Sequence, residues 1–454
     1  MIEQLYSLFL QHPSVTTDSR KVESGQIFFA LKGERFDGNL YAAEVLDKGA
    51  SLAVVDDASV VVAGDDRYFL VDDVLTTLQQ LAAHHRQQFK TWQRPVPVVG
   101  ITGTNGKTTT KELLRSVLSQ KYQVLATEGN LNNQIGVPLT LLKVNQQHEM
   151  AIIEMGANHP MDIADLCAIV HPDYGLITNV GKAHLLGFGS LEGVIAAKTE
   201  LYKSLAAEEG GIAFIDSFNR QLLSKAMEYG VKCRPYLPAE VVDCSPYLTL
   251  SLYDNEAVDP VEIHTHLIGS YNCLNCQAAA TVGRFFGVTL QQVKEAIEGY
   301  EPQNMRSQLV DLGMGNQLIM DAYNANATSM NAALTSFNLN QAPHKSVILG
   351  DMRELGEESQ REHKVILDYL FTSGIKLDMI ILVGEEFCKC YEQYGLQYAA
   401  SNPVNVRCYP AVQSLIDDDV VIRNLGGTIL VKGSRGVQLE KAAESIKLHF
   451  AHPF

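Results

Sequence analysis

Short, uninterrupted apolar runs, each followed by a polar or amphipathic stretch, set the rhythm of the chain. Between residues 95 and 302 they include "VPVVGIT", "MAIIEMG", "YGLITNV" and "GIAFID". Such runs suit strands buried on both faces, and their alternation with helical stretches predicts a mostly parallel sheet covered by helices. Residues 248–268 read instead as antiparallel strands appended to that sheet. After residue 302 the rhythm recurs on a smaller scale, with "SVILGDM", "DMIILVGEEF" and "GTILVKGSRG" as strands and "SQREHKVILDYLF" as a helix. This block looks Rossmann-like but lacks GxGxxG, so no dinucleotide is inferred. Before residue 95, "QIFFALKG" and "SLAVVDD" read as strands flanking the amphipathic "NLYAAEVLDKGA", with the polar, glycine-rich "KGERFDGN" as a candidate ligand loop. The proline-marked "RPVPVV" closes that block. The expected fold is α/β in three domains, 1–94, 95–302 and 303–454, the second of phosphate-loop ATPase type.

Length and charge narrow the function. A chain of 454 residues exceeds one ordinary core. Its 36 Lys and Arg against 52 Asp and Glu, net −16, argue against a nucleic-acid partner, since such binding relies on clustered cations. Any phosphate must be held locally, by backbone amides, a few lysines and metal. No stretch has the roughly 18–20 apolar residues of a membrane span, and "MIEQLYSLFLQHPSVTTDSR" has neither the basic start nor the cleavage site of a secretory leader. Cys273 and Cys276 fall one turn apart on a helix, without the second matched pair that zinc requires, and read as reduced core thiols. A cytoplasmic protein is expected.

The chemistry concentrates in "PVPVVGITGTNGKTTTKELLRSVL" (95–118). The spacing departs from GxxxxGK[ST], because Ile101 stands where the first glycine belongs. Its physics is intact. Gly103 and Gly106 let backbone amides turn towards an anion, the helix start adds partial positive charge, Lys107 can reach the β/γ-phosphates, and the Thr108 hydroxyl can ligate Mg²⁺. Ligands of open α/β sheets gather at the carboxyl ends of strands. Glu154 sits at one such end, and "NVGKAHLLGFGS", with His184, follows another. Lys198 lies in the next helical stretch, "LEGVIAAKTELYKSL".

"GITGTNGKTTTKELL", "EGNLNNQIGVPLTLL", "IEMGANHPMDIADL", "TNVGKAHLLGFGSLEGVIAAKTELY" and "GSYNCLNCQAAA" resemble, in that order, the central domain of the Mur ligases, the ATP-dependent amide-forming enzymes of peptidoglycan synthesis. "ALKGERFDGN" and "DAYNANATSM" resemble the branch that adds D-alanyl-D-alanine to UDP-N-acetylmuramoyl-tripeptide through an acyl phosphate. The resemblance implies ATP and Mg²⁺ as cofactors, the metal as two ions. It places Gly103, Thr104, Asn105, Gly106, Lys107, Thr108 and Thr109 on the phosphates, with Thr108 and Glu154 on one ion and His184 near a second. It makes Lys198 the family's carbamylated lysine. Asn272 and Asn275 fall where adenine is contacted, and Arg306 and Asp321 where the third domain closes over ATP, so an open form is expected without ligands. Ser19, Arg20, Phe36, Asp37 and Gly38 match the UDP region, and Asn130, Asn132 and Asn133 the muramoyl-peptide contacts. Asn324, Asn326, Ser329, Asp351, Lys432, Ser434 and Arg435 are the implied contacts of the third domain with substrate. Lys107, Glu154, His184, Lys198 and Arg306 are the implied catalytic set, in a monomer. One departure is Ala327, where the family usually has proline.

Other readings give different expectations. Another amino-acid-adding Mur ligase would use a shorter precursor, although the DNPR-type motif of the preceding, diaminopimelate-adding step is absent. A folylpolyglutamate-synthase-like enzyme typically lacks a comparable UDP-binding first domain. A non-catalytic sensor of ATP and the muramoyl peptide would have no need of Lys107, Glu154, His184 and Lys198 together.

Overall fold

The structure, a computed structural model, describes residues 1–254, 259–303, 305–399 and 404–451. Residues 255–258 of the expected antiparallel stretch, and Asn304 beside Arg306, lie outside them. The chain divides into two compact units. One comprises Met1–Gly103, Leu118–Ile177 and Ala197–Pro235, the other Thr104–Val117, Thr178–Ala196 and Tyr236–Phe454.

The first unit holds two parallel sheets. Strands β1 (Val15–Thr16), β2 (Ile27–Phe29), β3 (Leu52–Val55) and β4 (Tyr68–Leu70) form a four-stranded sheet in sequential order. The second sheet has six strands: β5 (Val98–Thr102), β6 (Val124–Ala126), β7 (Met150–Glu154), β8 (Tyr174–Ile177), β9 (Ile212–Ile215) and β10 (Lys232–Pro235), ordered β10-β9-β8-β5-β7-β6. β5 and β7 are buried at every residue, as their unbroken apolar sequences require. Gly100 within β5 has a packing reason, since a β-carbon there would lie 2.8 Å from the Met155 side chain.

The first block is bonded to the second more closely than its proline boundary suggests. Helix Val74–Gln88 carries Arg86, whose guanidinium donates to the carbonyls of Val170 (2.8 Å) and His171 (2.7 Å) and to Asp173 (2.7 Å). Asp173 in turn accepts from the amide of Val98, at the start of β5 (2.8 Å). The stretch read as one helix around Lys198 is two, Leu191–Lys198 and Glu200–Ala207. The buried Glu200 carboxylate accepts from the amides of Met161 (3.1 Å) and Ala164 (2.9 Å), at the start of helix Asp162–Val170.

The second unit holds an antiparallel sheet of β11 (Ala239–Cys244), β12 (Leu248–Leu252) and β13 (Val261–His264). It also holds a six-stranded sheet: β14 (Gln308–Gly313), β15 (Asn316–Asp321), β16 (Lys345–Gly350), β17 (Met379–Val383), β18 (Asn405–Tyr409) and β19 (Thr428–Lys432), ordered β14-β15-β19-β16-β17-β18. Only the β14–β15 pair is antiparallel, so the expected Rossmann-like third block is present. Cys273 and Cys276 are buried free thiols on helix Asn272–Phe285. Burial pushes the Cys273 thiol up to about 11.

Each unit buries an imidazole whose pKa is lowered, chiefly by desolvation: His85, bonded to the Val144 carbonyl (2.8 Å), and His363, between the amide of Met352 (3.1 Å) and the carbonyl of Ser359 (2.7 Å). The unfolded chain takes up these protons near an ordinary histidine pKa of about 6.5, before the folded chain does. Their contribution to stability is therefore complete above that pH and is lost as pH falls below it. The expected slope is up to about 1.4 kcal/mol per pH unit for each histidine. Urea unfolding at neutral and mildly acidic pH should show the decline, and replacing His85 with glutamine should flatten it; an unchanged slope would contradict the assignment.

Candidate active site

The glycine-bracketed turn is built as its sequence suggests. Gly103 and Gly106 have φ of 142° and 78°, a region that side chains with a β-carbon rarely adopt, and helix Lys107–Leu118 begins directly after them. The turn is braced by residues following β8. The Thr104 amide donates to the Asn179 carbonyl (2.9 Å), and the Asn105 amide to the Asn179 side chain (3.0 Å). The Asn105 carbonyl accepts from both the Thr178 hydroxyl (2.6 Å) and the Asn179 amide group (3.0 Å). Lys107 Nζ donates to the Thr104 carbonyl (3.1 Å).

A second brace comes from helix Asn272–Phe285. The Thr110 hydroxyl donates to Asn275 Oδ1 (3.0 Å), Asn275 Nδ2 to Asn272 Oδ1 (2.7 Å), and Asn272 Nδ2 to the Ile268 carbonyl (2.8 Å). A β-carbon on Gly106 would lie 2.7 Å from Asn275 Oδ1. Thus Asn272 and Asn275, implied as adenine contacts, support the phosphate loop. Thr178 and Asn179 were missed; their signal was a polar pair directly after the apolar run of β8, at its carboxyl end.

In the first unit, the Glu154 carboxylate is 1% exposed at the end of β7. Asn132 Nδ2 donates to its Oε1 (2.8 Å), and the Thr127 hydroxyl accepts from the Glu154 amide (2.9 Å). The Asn133 side-chain oxygen accepts from the amides of Ile135 (3.1 Å) and Gly136 (2.9 Å), just before helix Gly136–Leu141, while the Asn130 carbonyl accepts from the Asn132 amide (2.8 Å). Lys198 is 2% exposed and donates to the Ala157 carbonyl (3.2 Å).

In the same unit, Arg20 lies exposed and clamps Asp18 through two guanidinium bonds of 2.8 and 2.9 Å, which hold that carboxyl down at about 2. The Ser19 carbonyl accepts from Lys48 (3.3 Å). Phe36 stacks on Tyr41 with ring centroids 5.3 Å apart, Asp37 accepts from Asn39 twice, and Gly38 sits tight against the backbone of Ala30.

The second unit brings third-block residues onto the phosphate loop. Asn326, which caps helix Ala327–Leu339, pairs amide to amide with Asn105 at 2.8 and 3.4 Å, and Ser329 closes the capping box. Ala327, in the usual proline's place, opens that helix without disturbing the cap. Lys182 binds Glu362 (2.6 Å), and its amide donates to Thr328 (3.1 Å). His184 Nδ1 meets the Glu354 carboxylate.

Further along the third block, Asp321 and Lys432 form an ion pair of 2.6 Å, and the guanidinium groups of Arg306 and Arg435 lie over the Tyr323 ring, 3.8 and 5.7 Å from its centroid. The Asn324 side chain accepts from the Ala325 amide (2.9 Å). Ser434 donates to the Ala325 carbonyl (3.1 Å) and accepts from the Arg353 amide (3.0 Å). The Asp351 carboxylate accepts from the amides of Glu386 (3.0 Å) and Phe387 (2.9 Å), capping the helix that follows β17. Tyr323 went unrecognised, though it lies inside "DAYNANATSM"; Glu354, two residues beyond "SVILGDM", was also missed. Among the described residues no group of three or more His, Cys, Asp or Glu side chains is arranged to hold a metal by itself.

Three family profiles match in sequence: the Mur ligase family catalytic domain at residues 13–86, the Mur ligase middle domain at 101–283, and the Mur ligase glutamate ligase domain at 305–435. The UDP-N-acetylmuramoyl-tripeptide–D-alanyl-D-alanine ligase of Bacillus subtilis is 34% identical over 449 residues, covering 95% of this chain and 92% of that protein. A crystal structure of MurF from Acinetobacter baumannii is 30% identical, with a TM-score of 0.81 over 96% of this chain and 93% of that one. MurF ligase from Thermotoga maritima in complex with ADP is 26% identical, with a TM-score of 0.82 over 97% and 99%. With a braced phosphate loop, three α/β sheet domains and relatives matched almost end to end, this chain belongs to the Mur ligase family.

Proposed function

We propose that the chain joins D-alanyl-D-alanine to UDP-N-acetylmuramoyl-tripeptide, driven by cleavage of ATP to ADP and phosphate. The end-to-end likeness to ligases of that name carries the reading. The phosphate loop, fixed from two sides, supports the use of ATP. The tripeptide carboxylate attacks the γ-phosphorus, the bond from that phosphorus to the β-phosphate bridging oxygen breaks, and ADP leaves. The dipeptide amine then attacks the acyl carbon of the acyl phosphate, loses a proton, and expels phosphate as the amide forms.

Positioning and electrostatics dominate such transfers. The amides of Gly103, Thr104, Asn105 and Gly106, with Lys107, Thr108 and Thr109, would orient the phosphates; Arg306, held flat on Tyr323, would stabilise charge on the transferred group. The residue types fit Mg²⁺, a hard ion that prefers oxygen: Thr108 supplies a hydroxyl, and Glu154 a carboxylate whose orientation Asn132 fixes. Bound there, Mg²⁺ would shield the phosphates from the attacking carboxylate. A second ion would be held by His184 and, once carbamylated, by Lys198; buried as a bare amine, Lys198 could only donate.

Ser19, Arg20, Phe36, Asp37 and Gly38 would receive the UDP end, and Asn130, Asn132 and Asn133 the muramoyl peptide. Asn324, Asn326, Ser329, Lys432, Ser434 and Arg435 would receive the dipeptide side, with Asp351 holding their neighbouring loop by its cap. We assign the domains to 1–94, 95–302 and 303–454, and place a monomeric enzyme in the cytoplasm with its nucleotide substrates. No helix among the described residues is long and apolar enough to cross a membrane.

Hydroxylamine tests the intermediate. With ATP, Mg²⁺ and the tripeptide nucleotide but no dipeptide, a hydroxamate of the tripeptide is expected by mass spectrometry. A phosphorylated product stable to hydroxylamine would indicate a kinase instead.

A further inference from the structure

Arg306 stands between two residues with left-handed backbone, Met305 (φ 57°) and Ser307 (φ 50°). Side chains with a β-carbon adopt this region only where their surroundings hold them in it. The second unit supplies two holds. The Arg306 guanidinium lies over the Tyr323 ring, 3.8 Å from its centroid, and the buried Ser307 hydroxyl shares a hydrogen bond of 2.8 Å with the Tyr271 hydroxyl. The first grips the arginine side chain from within the third block. The second grips the backbone beside it, from the helix that braces the phosphate loop. Tyr271 stands at the N-cap position of helix Asn272–Phe285, and its neighbour Asn272 leads through Asn275 to Thr110. Gly269 (φ 94°) gives the ring its seat, since a β-carbon there would lie 2.4 Å from Tyr271 Cε1. The bonds of Asn272, Asn275 and Thr110 do not use the phenol oxygen.

We infer that Tyr271 is a positioning residue for Arg306, its hydroxyl fixing the arginine's own backbone to the helix that braces the phosphate loop. The inference rests on the proposed charge-stabilising role of Arg306 and deepens it. An arginine reaches a transferred phosphoryl group through several rotatable bonds, so the direction in which it leaves the backbone decides where its guanidinium can arrive. Freed from Tyr271, Ser307 would relax to an ordinary φ and turn the arginine off the Tyr323 ring. Phenylalanine at 271 keeps the ring in its seat and removes only the bond. Burial pushes the Tyr271 phenol above its ordinary range, so the hydroxyl keeps its proton at neutral pH and the link does not depend on titration.

Two readouts on the full chain test it. In a ¹⁵N-arginine-labelled chain, the Arg306 Nε–H signal, assigned by its loss in Arg306→Lys, should lie upfield of the ordinary range, as a group over an aromatic face does. It should return towards that range in Tyr271→Phe. In steady-state kinetics with ATP, Mg²⁺, UDP-N-acetylmuramoyl-tripeptide and D-alanyl-D-alanine, Tyr271→Phe should lower kcat about ten- to a hundredfold, the loss expected when a reacting group is misplaced by about 1 Å. The KM for ATP should stay near wild type because the brace from Asn275 remains, whereas a loosened helix would raise it. Ser307→Ala should repeat the effect, and Tyr271→Phe should add nothing in an Arg306→Ala background. A wild-type signal in the ordinary range, or Tyr271→Phe with signal and kcat both unchanged, would overturn the inference, as would a full further loss on top of Arg306→Ala. If Arg306→Ala itself leaves kcat unchanged, the catalytic reading of Arg306 fails, and the signal alone decides whether Tyr271 holds it.

Discussion

Replacing Lys107 with alanine is expected to lower kcat on the order of a hundred- to a thousandfold, as when a preorganised charge stabiliser is removed from a transition state, with little change in thermal stability. Lys107 opens its helix and bonds the Thr104 carbonyl, one link among several that hold the turn. The braces from Asn179 and Thr178 on one side, and from Asn275 on the other, do not involve its amine. The backbone cradle should therefore persist, and the charge deficit should fall on the phosphates alone. Steady-state kinetics with an unfolding midpoint for each variant would check this. A variant that loses activity and stability together would show instead that Lys107 holds the loop.

The opposite balance is expected at Lys432. Its amine is 2% exposed, at the end of β19, facing Asp321 at the end of β15, and the two are register partners in the sheet. Lys432→Met leaves Asp321 half-buried without its cation. Breaking a buried pair by removing one partner costs about 3–5 kcal/mol; the lower end applies here because Asp321 retains some contact with water. The double variant Lys432→Met with Asp321→Asn should recover part of that loss, since no lone charge remains. Because a chain of several domains need not unfold in one step, the readout is hydrogen exchange of the β15 and β19 amides. Faster exchange in the single variant and partial recovery in the double are expected. Exchange as slow as wild type in Lys432→Met would contradict the pairing.

The parts legible in the sequence were those fixed locally. Unbroken apolar runs marked β5, β7, β8 and β9, and glycine spacing marked the phosphate turn, because burial and positive φ leave their trace in adjacent residues. What escaped notice depends on residues far apart. Asn105 meets Asn326, Thr110 meets Asn275 and His184 meets Glu354 only after the chain has folded. β11 was missed because its residues are mostly exposed and carry little of the alternation that reveals a half-buried strand. Asp351, for which the resemblance implies a substrate contact, also caps a helix whose start the apolar run "DMIILVGEEF" conceals. The division of the helix around Lys198 also left no clear local mark, since Thr199 breaks it without glycine or proline.

The central claim is that ATP drives the joining of two substrates, and phosphate release tests it most directly. The purified chain would be supplied with ATP and Mg²⁺, then with UDP-N-acetylmuramoyl-tripeptide and D-alanyl-D-alanine singly and together. Sustained turnover only with both, accompanied by a UDP-linked pentapeptide in the mass spectrum, is the predicted result. Sustained turnover with a single amino acid and a shorter precursor, or tight ATP binding with no turnover for any acceptor, would contradict it.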